Sequence, residues 1–253
     1  MSSWALELEY DGTPFMGWQR QKHGLAIQQV VEEAASRLRG GAEVTEAIAS
    51  GRTDAGVHAL AQIVQIELPD LTPFRIREAM NFHLKPHPIV VRRCCIAPEG
   101  WNARFSAIGR AYRYIISNRA VPPALEAGRV WHVRQRLDEA AMQRGAELLL
   151  GHHDFSSFRA AACQAKSPMR TLDELTVTRM GEKIIVEAKA RSFLHHQVRN
   201  MVGSLVRVGE GSWPEQKLAE VLGAKNRAAA AVTAPPEGLY FTAVLYDPPL
   251  ALE

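Results

Sequence analysis

Two hydrophobic periods, one of strands and one of helices, alternate in the same order twice along this chain. Trp4, Leu6, Leu8 and Tyr10 alternate with Ala5, Glu7 and Glu9, the period-two pattern of a half-buried strand. Asp11-Gly12-Thr13-Pro14 ends it. Ile27, Val30, Val31, Ala34 and Leu38 then recur at helical spacing until Gly40-Gly41 stops the helix. Residues 43–50 and 61–68 read as strands, 74–84 as a helix and 89–97 as a strand, so the order is β-α-β-β-α-β. A second round opens with a strand over 112–117. A helix over 138–150 follows, with Asp138 as N-cap. Residues 172–178 and 184–190 read as a hairpin around Gly181, and 194–208 as a helix with Leu194, Val198, Met201 and Leu205 on one stripe. A short extra helix begins near Ser212, where Pro214 and Glu215 give a capping-box pattern, and 239–246 closes the set as a strand. Residues 120–128 and 224–237, each with a Pro-Pro pair, read as loops. Residues 151–169 read as a loop with one helical turn near 154–158.

Two consecutive units of this order predict an α+β chain of two ferredoxin-like halves, residues 1–103 and 104–253. At 253 residues the chain is long enough to give each half its own core. Joining the halves edge to edge into one extended, mostly antiparallel sheet would remove two exposed strand edges. The helices would then lie on one face and a cleft on the other.

Charge is distributed unevenly. The net charge is only +3, but residues 104–136 hold seven arginines (Arg104, Arg110, Arg113, Arg119, Arg129, Arg134 and Arg136) against the single acid Glu126, a net +6. Arginine suits bidentate phosphate contact and stacking on bases. The competing reading is a solvated surface balanced by acids elsewhere in the fold. The cysteines Cys94, Cys95 and Cys163 show no C-x-x-C spacing, which points to neither a zinc site nor a disulfide framework and fits a reducing compartment. The first residues carry neither a basic nor an apolar leader pattern, and no apolar run approaches membrane-spanning length. A cytoplasmic protein with no membrane partner is expected. His152-His153 and His195-His196 are adjacent pairs. On a helix, neighbours point roughly 100° apart, so no metal site is expected of them.

The stretch with most chemical content is Gly51-Arg52-Thr53-Asp54-Ala55-Gly56-Val57-His58-Ala59. It sets the carboxylate of Asp54 between two glycines, with the guanidinium of Arg52 two residues before it. Asp54 falls where a strand ends and a loop begins, a frequent position for catalytic groups. The plain alternative is a turn in which the carboxylate accepts a local N–H. This nine-residue run resembles the active-site signature of the tRNA pseudouridine synthase A family. Further segments resemble that family in the same order. They are Tyr10-Asp11-Gly12-Thr13 with Phe15, Gly17, Trp18 and Gln19; Asn102-Ala103-Arg104-Phe105-Ser106; Arg110-Ala111-Tyr112-Arg113-Tyr114; His195-His196-Gln197-Val198-Arg199-Asn200-Met201-Val202-Gly203; and Glu237-Gly238-Leu239-Tyr240.

The resemblance implies an isomerase that converts uridine to pseudouridine in the anticodon stem-loop of tRNA, at positions 38, 39 and/or 40. No atom is gained and no electron transferred, so no cofactor is implied. Asp54 is the expected carboxylate, attacking C1′ or removing a proton from C2′. Arg199 is its expected salt-bridge partner, and a cation there lowers the carboxyl pKa. Tyr112 is the expected base for the C5 proton, or a ring stacked on uracil. Arg52 splays and holds the target nucleotide, Leu239 packs against its base, and Arg104 and Arg110 offer phosphate contacts. The cleft is then expected to take RNA, with the target uridine flipped from its stack. Partners implied are tRNA and a second copy, with one tRNA lying across a homodimer. Two positions depart from the family pattern. Ala26 stands where members often have a helix-capping Ser, and Trp101 where a Phe is usual. The main alternative is a non-catalytic RNA-binding protein on paired ferredoxin-like folds, binding RNA on its sheet faces. A nucleosidase-like hydrolase would need a second acid for the leaving group, and none stands out.

Overall fold

The computed structural model describes residues 1–41 and 46–253. Among them run ten strands and five α-helices of a mixed α/β protein. In chain order they are β1 (Ser2–Tyr10), α1 (Ile27–Leu38), β2 (Ile48–Ala49), β3 (His58–Leu68), α2 (Pro73–Leu84), β4 (Ile89–Ile96), β5 (Ala107–Ser117) and β6 (Trp131–His132). There follow α3 (Glu139–Glu147), β7 (Gly151–Asp154), β8 (Met169–Met180), β9 (Lys183–Ala190), α4 (Gln197–Gly209), α5 (Lys217–Ala224) and β10 (Leu239–Tyr246). Within each unit the described strands pair antiparallel, except that β10 runs parallel to β3 and β6 to β5. No helix among the described residues is long and apolar enough to cross a membrane. Two compact units form, Met1–Gly109 with Tyr240–Glu253, and Arg110–Leu239.

In the first unit β1 is central. It pairs antiparallel with β3 on one edge (Trp4↔Ile66) and with β4 on the other (Trp4↔Ile96). β2 and β10 share the far edge of β3, β2 at Gln65 and Val64, β10 at His58 and Ala59. The β4-β1-β3-β2 arrangement is that of a β-α-β-β-α-β unit. Trp4, Leu6 and Leu8 are fully buried, as are Ile27 and Val31 of α1 and Ile76, Met80 and Leu84 of α2. The other face of β1 is not the open polar face its alternation suggests. Ala5 is buried with Ile63, Cys95, Ala107 and Tyr246, beneath Trp101, Val244, Leu250 and Leu252. Glu7, 4% exposed, is held by Arg93 at 3.1 and 2.7 Å. The cover comes from the end of the chain. The sequence reading put everything from residue 104 onward into the second half, but residues 104–109 and Tyr240–Glu253 group with the first unit. Of the strand expected over 43–50, Ile48–Ala49 pairs with β3, and 43–45 lie outside the described residues. β3 starts earlier than expected because His58 and Ala59 find partners in Tyr240 and Phe241.

In the second unit β5 pairs with β9 (Tyr112↔Ala188), β9 with β8 (Val177↔Val186) and β8 with β7 (His152↔Thr171), while β6 runs parallel to β5 (Ile116↔Trp131). β7 falls in a segment read as loop; four residues with two histidines are too few to show a period. Asp138 caps α3, its carboxylate accepting from Ala141 N at 2.9 Å. α4 begins three residues after the start of its apolar stripe. His196 is left-handed (φ 63), and Gln197 Oε1 accepts from Leu194 N at 2.8 Å. The histidine pair 195–196 therefore precedes the helix rather than lying on it. The capping box expected near Ser212 does not form. Ser212 Oγ donates to Arg207 O (2.9 Å), Glu215 is bound by Arg144 (2.7 Å), and α5 starts at Lys217 with Gln216 as an N-cap lacking a side-chain bond.

Candidate active site

Asp54 lies half-buried in the short segment between β2 and β3, with Arg52 exposed beside it. Fixed groups hold this segment from the side of the sheet. Ser50 Oγ donates to Gln62 Oε1 (2.6 Å), and Gln62 Nε2 donates to Gly51 O (2.5 Å). Gln62 is fully buried, and its bond with Ser50 forms away from water. Tyr10 OH and Thr53 Oγ1 are bonded at 2.8 Å in a buried contact. Burial pushes the Tyr10 phenol up to about 12, tempered by its hydrogen bonds to Thr53 and Gln62, so it stays neutral under ordinary conditions. The turn itself is closed by the backbone, with Val57 N donating to Asp54 O at 3.1 Å.

A second loop, residues 11–18, braces the other side. Trp18 N donates to Thr53 O (3.0 Å) and Gly56 N to Phe15 O (3.3 Å), and Gly12 N donates to His58 Nδ1 (3.0 Å). Glycine permits this approach. A Cβ on Gly12 would lie 2.0 Å from Val57 O, and one on Gly17, at φ +85, would lie 2.6 Å from Thr53 O. Phe15 and Trp18, both in the family-like segment that opens with Tyr10, are each 2% exposed. Their rings anchor the loop. The loop also caps α1. Ala26 supplies no side-chain cap, but Ile27 N donates to Gly17 O (3.1 Å) and Gln28 N to Trp18 O (3.0 Å). The missing Ser is thus replaced by loop carbonyls.

Arg52, Asp54 and Arg104 belong to the first unit, and Arg110, Tyr112, Arg199 and Leu239 to the second. Tyr112 and Tyr114 share a face of β5 but not an environment. Tyr114 is fully buried, its hydroxyl donating to Pro235 O at 2.7 Å. Burial, then the negative charge of Glu237, drives its pKa far upward, with Arg199 acting in the opposite sense. Tyr112 is half-exposed and meets Phe193 edge-on, with ring centroids 5.2 Å apart. Arg199 is not a plain surface arginine. Its Nε donates to Ala234 O (2.8 Å), and its own carbonyl accepts from Ala234 N (3.1 Å). Leu239 is 5% exposed and follows the 3₁₀ turn Pro236–Gly238. Arg110 Nη1 donates to Arg191 O at 2.5 Å.

The Arg-rich stretch is partly neutralised by distant acids. Arg113 pairs with Glu187 (2.8 Å), opposite it on β9, and Arg119 with Glu182 (3.1 Å). Arg134 and Arg136 are exposed. Arg104 is also exposed, at the tip of a turn in which Asn102 Oδ1 accepts from the backbone N of both Arg104 and Phe105 (3.0 Å each). Its guanidinium stacks on the ring of Phe105, which is 77% exposed. Sequence reasoning missed Gln62, Tyr10 and His58 as braces. Only the glycines at 12 and 17 hinted at two backbones in contact.

Comparison with known proteins follows the same residues. A family model described as tRNA pseudouridine synthase matches residues 8–106 and 146–247. A tRNA pseudouridine synthase A of Acidiphilium cryptum is 58% identical over 98% of this chain and 97% of its own. Those of Rhodospirillum centenum and Zymomonas mobilis are 54% and 52% identical, each over 97% of this chain and 100% of their own. Among solved structures, a Cbf5-Nop10-Gar1 complex aligns with 94% of this chain and 49% of its own at 11% identity and a TM-score of 0.41, a likeness on which nothing rests. The matched residues span both units, and the range 8–106 includes the braced Asp54 loop: this chain belongs to the tRNA pseudouridine synthase family.

Proposed function

We propose that this protein isomerises uridine to pseudouridine in the anticodon stem-loop of tRNA, at positions 38, 39 and/or 40. The reaction breaks C1′–N1, turns the base and forms C1′–C5; C5 loses a proton and N1 gains one. Redox chemistry has no part in it. The observation that carries the reading is the carboxylate of Asp54 on a turn braced from two sides, in a chain of this family. Such bracing matches what catalysis asks of a reacting group, since a fixed geometry removes entropy from the barrier.

Either route open to Asp54, attack at C1′ or removal of the C2′ proton, begins from its ionised form. In this proposal Arg199 keeps it ionised, Tyr112 accepts the C5 proton or stacks on uracil, and Leu239 packs on the flipped base. A phenol is a weak base at neutral pH, but the C5–H becomes acidic once the new C–C bond exists. Arg52 holds the splayed nucleotide. Arg104 and Arg110 take phosphates, which offset the cost of flipping, a few kcal/mol. The protein works in the cytoplasm as a homodimer bound to tRNA.

Release of tritium from tRNA labelled at uridine C5 tests the reading. Wild-type enzyme is expected to release it, and Asp54→Asn to release none while binding tRNA within a few-fold of wild type. A variant that retains wild-type release removes Asp54 from the chemistry. A wild-type protein that binds tRNA without releasing tritium is instead the non-catalytic binder.

A further inference from the structure

His58 closes the signature run, and its place in the braced loop is specific. It is 2% exposed, and its ring stacks on Tyr240 (centroids 4.8 Å apart, planes at 27°). Its Nδ1 accepts from Gly12 N at 3.0 Å and lies 3.2 Å from Asp11 Oδ1. One nitrogen does not accept from Gly12 and donate to Asp11 at once. The Gly12 contact decides between them, because a backbone N–H is always a donor. Asp11 Oδ1 meanwhile already accepts from Thr13 N (2.9 Å) and Thr13 Oγ1 (2.6 Å). So Nδ1 carries the lone pair, and the ring proton sits on Nε2.

The consequence reaches Asp54 through the backbone. Gly12 is pressed against the Val57 carbonyl, and Val57 N closes the Asp54 turn. Further along the same loop, Trp18 N and Phe15 O hold Thr53 and Gly56, the residues that flank Asp54-Ala55. The 3.0 Å bond from Gly12 to His58 is where this loop is tied to the start of β3. We propose that His58 is a positioning residue for Asp54: a neutral imidazole whose Nδ1 lone pair seats the 11–18 loop against the Asp54 turn. The proposal rests on the reading of Asp54 as the reacting carboxylate. The stack on Tyr240 is a separate, packing role, and the two roles are separable by substitution.

His58→Asn keeps an acceptor at the same distance along the side chain as Nδ1 but discards the ring. His58→Phe keeps a ring for Tyr240 but discards the acceptor. In the tritium assay His58→Asn is expected to hold kcat within about 3-fold of wild type, and His58→Phe to lose about 100-fold in kcat with KM changed less than about 3-fold. The reverse order assigns His58 to packing and overturns the proposal; equal loss in both variants, or wild-type turnover in both, overturns it as well. Should either variant fail to fold, the tautomer of His58 in the wild-type protein decides. Imidazole ¹⁵N shifts are expected to show the proton on Nε2, and a proton on Nδ1 refutes the bond to Gly12. That measurement needs no turnover. A wild type that releases no tritium therefore counts against the functional reading, and the wrong tautomer against His58.

Discussion

Gly12→Ala probes the contact between the two loops directly. The new Cβ would stand 2.0 Å from Val57 O, whereas such contacts essentially never fall below 3.0 Å. One backbone must therefore retreat by about 1 Å, because no flexible side chain is present to yield. Forcing that retreat in a packed site costs about 1–3 kcal/mol of stability. Catalysis is the more sensitive reporter. A misplacement of about 1 Å near a reacting group costs about 100-fold, or about 2.7 kcal/mol of barrier. The expectation is a protein that still folds and binds tRNA with KM within a few-fold, but turns over about 100 times more slowly. Gly223→Ala is the control. It lies in the last turn of α5 with nothing within 4 Å of its Cβ position, so it is expected to gain about 0.5 kcal/mol and to leave kcat unchanged. Tritium release at saturating tRNA, run beside urea melts, reads both effects. Wild-type kcat in a folded Gly12→Ala protein would mean that the 11–18 loop does not set the geometry of Asp54.

Other expectations follow from the same contacts. Tyr10 has its pKa raised to about 12 in the fold against about 10 when unfolded, so its contribution is complete below pH 10 and is lost as pH rises toward 12. Urea titrations from pH 9 to 12 are expected to show a fall to which Tyr114 also contributes, and Tyr10→Phe is expected to shrink that fall by about 2 kcal/mol; an equal fall in both proteins contradicts the assignment. Asn118 is 8% exposed and uses its amide fully, donating to Val133 O and Gln135 O and accepting from Leu137 N and Arg179 Nη2. Asn118→Ala is expected to cost about 3 kcal/mol, and a melt within about 0.5 kcal/mol of wild type would show the network to be dispensable. Ala26→Ser is expected to gain at most about 0.5 kcal/mol rather than the roughly 1 kcal/mol of an ordinary new cap, because Ile27 N and Gln28 N are already bonded to Gly17 O and Trp18 O. A gain well above that in the same urea melts would mean the loop carbonyls do little.

What the sequence alone determined was local in character. The strand β1, the helical stripes of α1 and α4 and the Asp138 cap are each written within a few positions, and each is present in the fold. The nine-residue signature and its companion segments marked the family without any structure. Tertiary structure decided what depends on residues far apart in the chain. It buried Glu7 under Arg93, put the last strand beside β3, and turned Phe15 and Trp18 inward. It made Tyr114 a sealed structural group and left Tyr112 half-exposed, though both stand on one face of the same strand. It drew Arg113 and Arg119 to acids more than sixty residues away. Periodicity reports which face of an element is apolar, but not what will cover it. The cover, and with it the solvent exposure and hydrogen-bond partners of every side chain beneath, is set only when distant segments pack.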